Sequence, residues 1–173
     1  AWALLATAEK PYFDDQFRVF PGIHMFEEKY GLMSAISAGG NSLSWFNNAF
    51  CSGKSMREID DLAEKVPAGA SGLVFIPQLN AKSGKGAFLG IDNCHSLSYF
   101  SRAVMEGVAV CNQIALNRIV ELGLPIKKIF MIGGGARSDC WSRIVSDMAG
   151  LPVFIPEQTE APCTGAALLA LTG

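Results

Sequence analysis

One stretch constrains the fold of this chain more than any other: Lys127 to Asp147, reading KKIFMIGGGARSDCWSRIVSD. Ile129 to Ile132 have the length and composition of a short buried strand, and they stop at Gly133-Gly134-Gly135. An amphipathic segment begins near Ser138 and predicts a helix. In this order, strand, glycine turn and helix N-terminus expose bare backbone. The three glycines permit positive φ and carry no Cβ that would hold a ligand away. The helix opening adds unpaired N–H groups and the positive end of a dipole, a setting for a phosphate or a nucleotide. Glycine turns after strands are common, so the motif needs support from elsewhere in the chain.

A second junction of the same kind lies upstream. Leu32 to Ala38 reads as a strand and runs into Gly39-Gly40-Asn41-Ser42. Leu43, Phe46 and Phe50 then recur at helical spacing, with Asn41 or Ser42 as the expected N-cap. Ahead of it, Ala1 to Ala8 reads as a buried strand and Phe17 to Phe20 as another, with Pro21-Gly22 as turn chemistry. Lys54 to Val66 predicts a polar helix packed through Met56, Ile59, Leu62 and Ala63. Leu73 to Ile76 and Gly86 to Ile91 are short strands, separated by a flexible basic loop, Asn80 to Gly86.

The longest helix runs from about Ser96 to Gly123. Leu97, Phe100, Val104, Val108, Cys111, Ala115, Ile119 and Leu122 form its apolar stripe, and Gly123 and Pro125 stop it. Strand Ile129–Ile132, helix Ser138–Met148, strand Val153–Ile155 and a helix over Ala161–Leu171 follow. Three consecutive strands and then alternating helices and strands predict an α/β fold.

Composition narrows the function. The 173 residues suffice for one domain with a sizeable core, and 50% hydrophobic against 17% charged residues excludes a disordered tail protein. The apolar excess fits a rich core, or a surface covered by a partner such as a second copy of the chain. A net charge of −2 gives no electrostatic footprint for nucleic acid or an anionic membrane. No apolar run approaches the roughly 20 residues that span a bilayer. The first ten residues, AWALLATAEK, lack the basic region of a signal peptide. The five cysteines are scattered without a CxxC pair, and His24 and His95 lie far apart, so reduced cytoplasmic thiols and no metal site are expected. A strand that begins at Trp2 with no lead reads as a piece cut from something longer.

Of two other phosphate-binding motifs, one fails, and the other leaves a dinucleotide-binding domain as a further alternative. Gly53-Lys54-Ser55 has Asn48 where a Walker A loop needs glycine, and no strand feeds it. Gly133-x-Gly135 with Glu157 after the next strand approaches a dinucleotide fingerprint, but Ser138 replaces the third glycine and the sheet would be truncated.

A third pattern covers nearly the whole chain. GAFLGIDNCHSLSYFSRAVMEGVAV (Gly86 to Val110), MIGGGARSDCWSRIVSDMAGLPV, the helix start Thr164-Gly165-Ala166-Ala167 and the earlier LMSAISAGGNSLSWF occur in an order that closely resembles the C-terminal domain of the FGGY carbohydrate kinases, nearest the xylulokinase-like branch. The resemblance implies a ribonuclease H-like lobe of the actin and hexokinase type, with a mixed central sheet flanked by helices. It also implies a parent enzyme that transfers the γ-phosphoryl group of ATP to a sugar hydroxyl with Mg²⁺ in the cytoplasm. This lobe would carry mainly the nucleotide, ATP or ADP. Gly40 and Ser44 would lie by the phosphates, and Gly134, Gly135 and Ser138 would border the adenosine. Ser138 can bond a base edge or cap its helix; both roles suit a serine there.

Trp45 and Trp141 read as core anchors, Glu106 as a partner in a local polar interface, and Arg137 as a solvated helix-start residue. The family's catalytic aspartate, its sugar pocket and its phosphate-gripping Gly-Thr belong to an N-terminal lobe with no counterpart in this chain, so no catalytic residue is expected here. The Asn80–Gly86 loop is shorter than the family's and lacks its Glu-Arg pair. That departure leaves room for a non-enzymatic nucleotide-sensing or assembly module with the same fold.

Overall fold

The computed structural model describes residues 2–36, 39–79, 84–157 and 161–172. Strands β1 (Trp2–Ala8), β2 (Phe20–Ile23) and β3 (Tyr30–Ile36) form an antiparallel sheet in the order β1-β3-β2. Residues along β1 alternate between faces, so Leu4, Ala6 and Ala8 pack inward while Leu5 stays 76% exposed. The buried strand expected at Ala1–Ala8 is therefore half-buried. Leu5, Met33 and Phe20 stand opposite one another across the three strands on the outer face. Pro21-Gly22 is not a turn. It lies inside β2, paired to Leu32 and Gly31, because β2 is an edge strand and an edge tolerates the missing N–H of proline.

Helix α1 (Gly40–Phe50) follows β3, and α2 (Met56–Glu64) follows after a turn. The N-cap of α1 is Gly39, with no side-chain cap bond; Asn41 and Ser42 lie inside the helix instead. Ser55 and Glu58 form a reciprocal capping box on α2. Strands β4 (Val74–Ile76) and β5 (Ala87–Leu89) make an antiparallel pair, and α3 (Leu97–Glu121) runs through the centre of the molecule. It touches β1, β3, β4, α1, α2 and α4. Its middle is consequently buried on several sides, at Ser101, Ala103, Val104, Met105, Gly107, Val108 and Ala109, and not only along the stripe read from the sequence.

Strands β6 (Ile129–Phe130) and β7 (Val153–Phe154) are parallel, with α4 (Asp139–Ala149) between them, and α5 (Ala161–Thr172) comes last. The parallel pair is flanked by bonds from Ile129 N–H to the Pro152 carbonyl (3.0 Å) and from Met131 N–H to the Phe154 carbonyl (2.9 Å). Among the described residues no ladder joins β1 to β6. A cavity of about 310 Å³ separates them, lined by Leu4, Leu5, Phe130 and Met131, with Asn112 and Leu116 of α3 also on its wall. The strands are thus mixed in direction, as expected, but interrupted in their hydrogen bonding.

The main core joins Phe46 of α1, Ile59 of α2, Phe75 of β4, Val104 and Val108 of α3, and Trp141 and Ile144 of α4. A smaller cluster sets Ala8, Val19 and Leu32 against Ile119 at the C-terminal end of α3. Trp141 is the anchor that its sequence context predicts. Trp45 is 38% exposed, its ring parallel to Phe75 at 6.1 Å between centroids, so it seals an edge of the core and does not fill its centre.

Candidate functional site

The two strand–glycine–helix junctions open on the same cleft, of about 1000 Å³. Gly40, Asn41 and Ser44 line it from α1, and Arg57, Asp60, Asp61 and Glu64 from α2. Gly134, Gly135 and Arg137 come from the glycine turn, Ser138, Asp139 and Arg143 from the start of α4, and Trp2 from β1. All five residues singled out from the sequence, Gly40, Ser44, Gly134, Gly135 and Ser138, are therefore on one wall-to-wall surface.

Local chemistry explains the shape of the turn. Gly133 takes φ 80°, a left-handed conformation that favours glycine. Gly134–Arg137 then forms a single 3-10 turn, held by Ala136 N–H on the Gly133 carbonyl (3.1 Å) and Ser138 N–H on the Gly135 carbonyl (3.2 Å). Ser138 ends that turn and starts α4: its hydroxyl oxygen accepts from Trp141 N–H at 3.0 Å. Asp139 adds a negative charge to the same helix opening. Of the two roles that the sequence leaves open for Ser138, the cap is therefore occupied.

Trp2 forms the floor. Its ring lies 4.7 Å from that of Trp141, whose Nε1–H donates to the Met105 carbonyl at 3.1 Å. This floor separates the two glycines that sequence reasoning treated alike. A Cβ on Gly135 would come within 2.6 Å of Trp2 Cζ2 and 3.0 Å of Met131 Cε, whereas a Cβ on Gly134 would meet nothing within 4 Å. The missing side chain of Gly135 makes room for an indole. That of Gly134 leaves the cleft open.

The wall contributed by α2 went unread in the sequence. Asp60 and Glu64 are four residues apart, on a face other than that of buried Ile59 and Ala63; only the direction of that second face gives it meaning. Burial pushes the Asp60 carboxyl above its ordinary value, and the neighbouring Asp61, Asp139 and Glu64 push the same way, while a hydrogen bond with the Ser138 side chain opposes them. Glu64 forms an ion pair with Arg143. Cys140, buried in the cleft wall, is pushed up to about 11 by burial and then by Glu64, so its thiol stays protonated at neutral pH and is no nucleophile.

The α1 side of the cleft differs. It carries no acidic residue in its first turn and no side-chain cap; Ser42 N–H donates to the Gly39 carbonyl at 3.0 Å, and Gly40 and Asn41 line the cleft at the positive end of the helix dipole. Elsewhere, Glu106 accepts from Arg102 Nε (2.6 Å) and from Gly69 N–H (3.0 Å), the local polar interface anticipated for it, and Arg137 is exposed at the turn. Among the described residues no group of three His, Cys, Asp or Glu side chains could hold a metal ion. The start of the basic loop, Asn80 to Ser83, lies outside the described residues.

Known proteins share this fold. The chain is 30% identical over 174 residues to a xylulose kinase of Bacillus subtilis strain 168, an alignment that takes in 94% of this chain and 35% of that protein. The crystal structure of a xylulose kinase from Rhodospirillum rubrum superposes with a TM-score of 0.82 at 26% identity, over 88% of this chain and 32% of that one. Plasmodium falciparum glycerol kinase, solved with ADP, shares the fold at a TM-score of 0.82 and 21% identity, over 96% of this chain and 35% of that one. The chain thus spans about a third of the length of the relatives it matches, and its fold is the ribonuclease H-like, actin–hexokinase type of lobe found in them. The model of the C-terminal domain of the FGGY carbohydrate kinases matches residues 4–173, and the chain belongs to that family, on its xylulokinase-like side.

Proposed function

We propose that this chain is the nucleotide-binding lobe of an ATP-dependent sugar kinase of the pentulose type, with the catalytic base and most of the sugar pocket supplied by the rest of the parent protein. The observation that carries the proposal is the convergence of both glycine junctions on one cleft. The adenosine lies against Gly134 and Gly135, and the phosphates run toward Gly40 and Ser44. Charge supports that polarity. Four carboxylates and three arginines (Arg57, Arg137 and Arg143) share the α2, turn and α4 side, whereas the α1 opening lines the cleft with the uncharged Gly40, Asn41 and Ser44 and the positive end of its dipole.

ATP supplies the phosphoryl group; the lobe's task is to hold it in line for a sugar hydroxyl, which is most of what a phosphoryl-transfer enzyme does. Mg²⁺ is assigned to the nucleotide phosphates, its usual station in phosphoryl-transfer sites. A xylulose kinase is among the relatives, which points to a ketopentose as substrate. An enzyme of this kind works where ATP is made available, in the cytoplasm.

Titration calorimetry with ADP tests the site. ADP should bind the wild-type chain, and Gly134→Val, which fills open space above the turn, should weaken binding by about tenfold or more with little change in Tm. Unchanged affinity in that variant would put the nucleotide elsewhere.

A further inference from the structure

Ser138 is engaged as the cap of α4. Its hydroxyl oxygen accepts from Trp141 N–H, and the Asp60 carboxylate shares the cleft wall with it, close enough for the Ser138 side chain to pull the Asp60 pKa down against the effect of burial. We propose that Asp60 is the ribose-reading residue of this site, accepting hydrogen bonds from the vicinal 2′- and 3′-hydroxyls of the nucleotide, with Ser138 as its positioning residue. The inference rests on the nucleotide reading of the cleft.

Three features lead to it. Asp60 lines the cleft, is partly buried, and has no cationic partner among the described residues; Glu64, one turn along, is instead neutralised by Arg143. An ionised carboxylate accepts and cannot donate, so its partner must bring donors. A phosphate brings none, so it gives the Asp60 carboxylate no hydrogen bond to accept.

The choice among nucleotide groups follows from donor patterns. Adenine presents one amino group beside a ring acceptor, so a carboxylate facing that edge gains one bond and meets a repelling lone pair. The ribose diol presents two adjacent donors, which match the two oxygens of one carboxylate, as in other folds where an acidic residue holds ribose hydroxyls. The ribose also lies between base and phosphates. That is where a residue beside the Gly134 turn would meet a nucleotide whose phosphates run toward α1.

The test compares ADP, 2′-deoxy-ADP, 3′-deoxy-ADP and GDP by titration against the wild-type chain and Asp60→Ala, with circular dichroism to check folding. The wild type should bind ADP about tenfold more tightly than either deoxy analogue, as expected for losing a bond to a charged acceptor. Asp60→Ala should bind all three adenine nucleotides alike, near the level of the deoxy analogues. Wild-type binding that ignores the sugar hydroxyls would overturn the assignment, and this needs no variant. So would a preference for GDP, which would place the base edge on Asp60, or hydroxyl discrimination that survives in Asp60→Ala. Failure of every nucleotide to bind the wild type would instead overturn the nucleotide reading of the cleft, and this inference with it.

Discussion

Asp14 gathers the connection between β1 and β2 around one carboxylate. Its Oδ2 accepts from Arg18 N–H (2.8 Å), Arg18 Nε (3.1 Å) and Val19 N–H (3.2 Å), and its Oδ1 from Gln16 N–H (3.2 Å) and Arg18 Nη2 (3.1 Å). The Arg18 guanidinium, followed by the backbone N–H groups, holds this carboxyl well below the usual carboxylate range, against an opposing push from burial. A folded-state value below the unfolded one of about 3.9 means the stabilisation is complete above that unfolded value and fades as pH falls below it. Asp14→Asn should therefore lower the urea midpoint at pH 7, and the gap to wild type should narrow as pH drops through the acid range. A gap that does not change with pH would remove the carboxylate from the explanation. At the same scale, Gly135→Ala should destabilise by about 1–3 kcal/mol, because the new methyl must displace Trp2 or Met131 in a packed floor. The same residue would have been a poor probe of ligand binding. A fall in affinity there would report on Trp2 as much as on the nucleotide.

Among the elements, α3 depends on being narrow at one point. The carbonyl oxygen of Phe75 in β4 would lie 2.3 Å from a Cβ at Gly107, and the carbonyl carbon 3.1 Å. Alanine is the better helix former by about 1 kcal/mol, but backbone cannot withdraw as a flexible side chain can, so sterics win. Gly107→Ala should cost about 2–3 kcal/mol in chemical denaturation, with β4 shifted away from the helix. If stability rose instead, the helix–strand approach would be looser than it is here. Ser138→Ala removes the cap of α4 and frees Asp60; the loss of the cap alone should cost about 1 kcal/mol. Ser55→Ala removes a comparable cap from α2 without touching the Asp60 contact, so the difference between the two variants in ADP affinity isolates the effect of Ser138 on the cleft.

For the whole molecule, the cleft has walls of α1, α2, the glycine turn and α4, with Trp2 of β1 as its floor. Spanning about a third of its relatives, the chain should show no ATP-dependent phosphorylation of a pentulose in a coupled assay for ADP release, while the parent protein with both lobes should. Turnover by the lobe alone would mean that one of its own carboxylates, Asp60, Asp61, Glu64 or Asp139, takes the hydroxyl proton. An inactive two-lobed parent that still binds ADP would favour a sensing or assembly module.

Periodicity and turn chemistry determine much of this protein from the sequence alone. Strand, glycine turn and capped helix at Ile129–Ala149 are local events, set by burial period, positive φ at Gly133 and the hydroxyl of Ser138, so reading along the chain finds them. The long helix ending at Gly123 is legible for the same reason. The family pattern adds the fold and places Gly40, Ser44, Gly134, Gly135 and Ser138 on one surface. What the sequence could not supply is any relation set by packing between distant segments. It did not show that Pro21 would sit on an open edge, or that β1 would leave one face exposed. It did not show that Gly135 would yield its space to Trp2, or that a second face of α2 would bring Asp60 to Ser138. Local conformation follows from neighbours a few residues away. The meaning of Asp60 and Gly135 depends on atoms that only the folded chain brings to them.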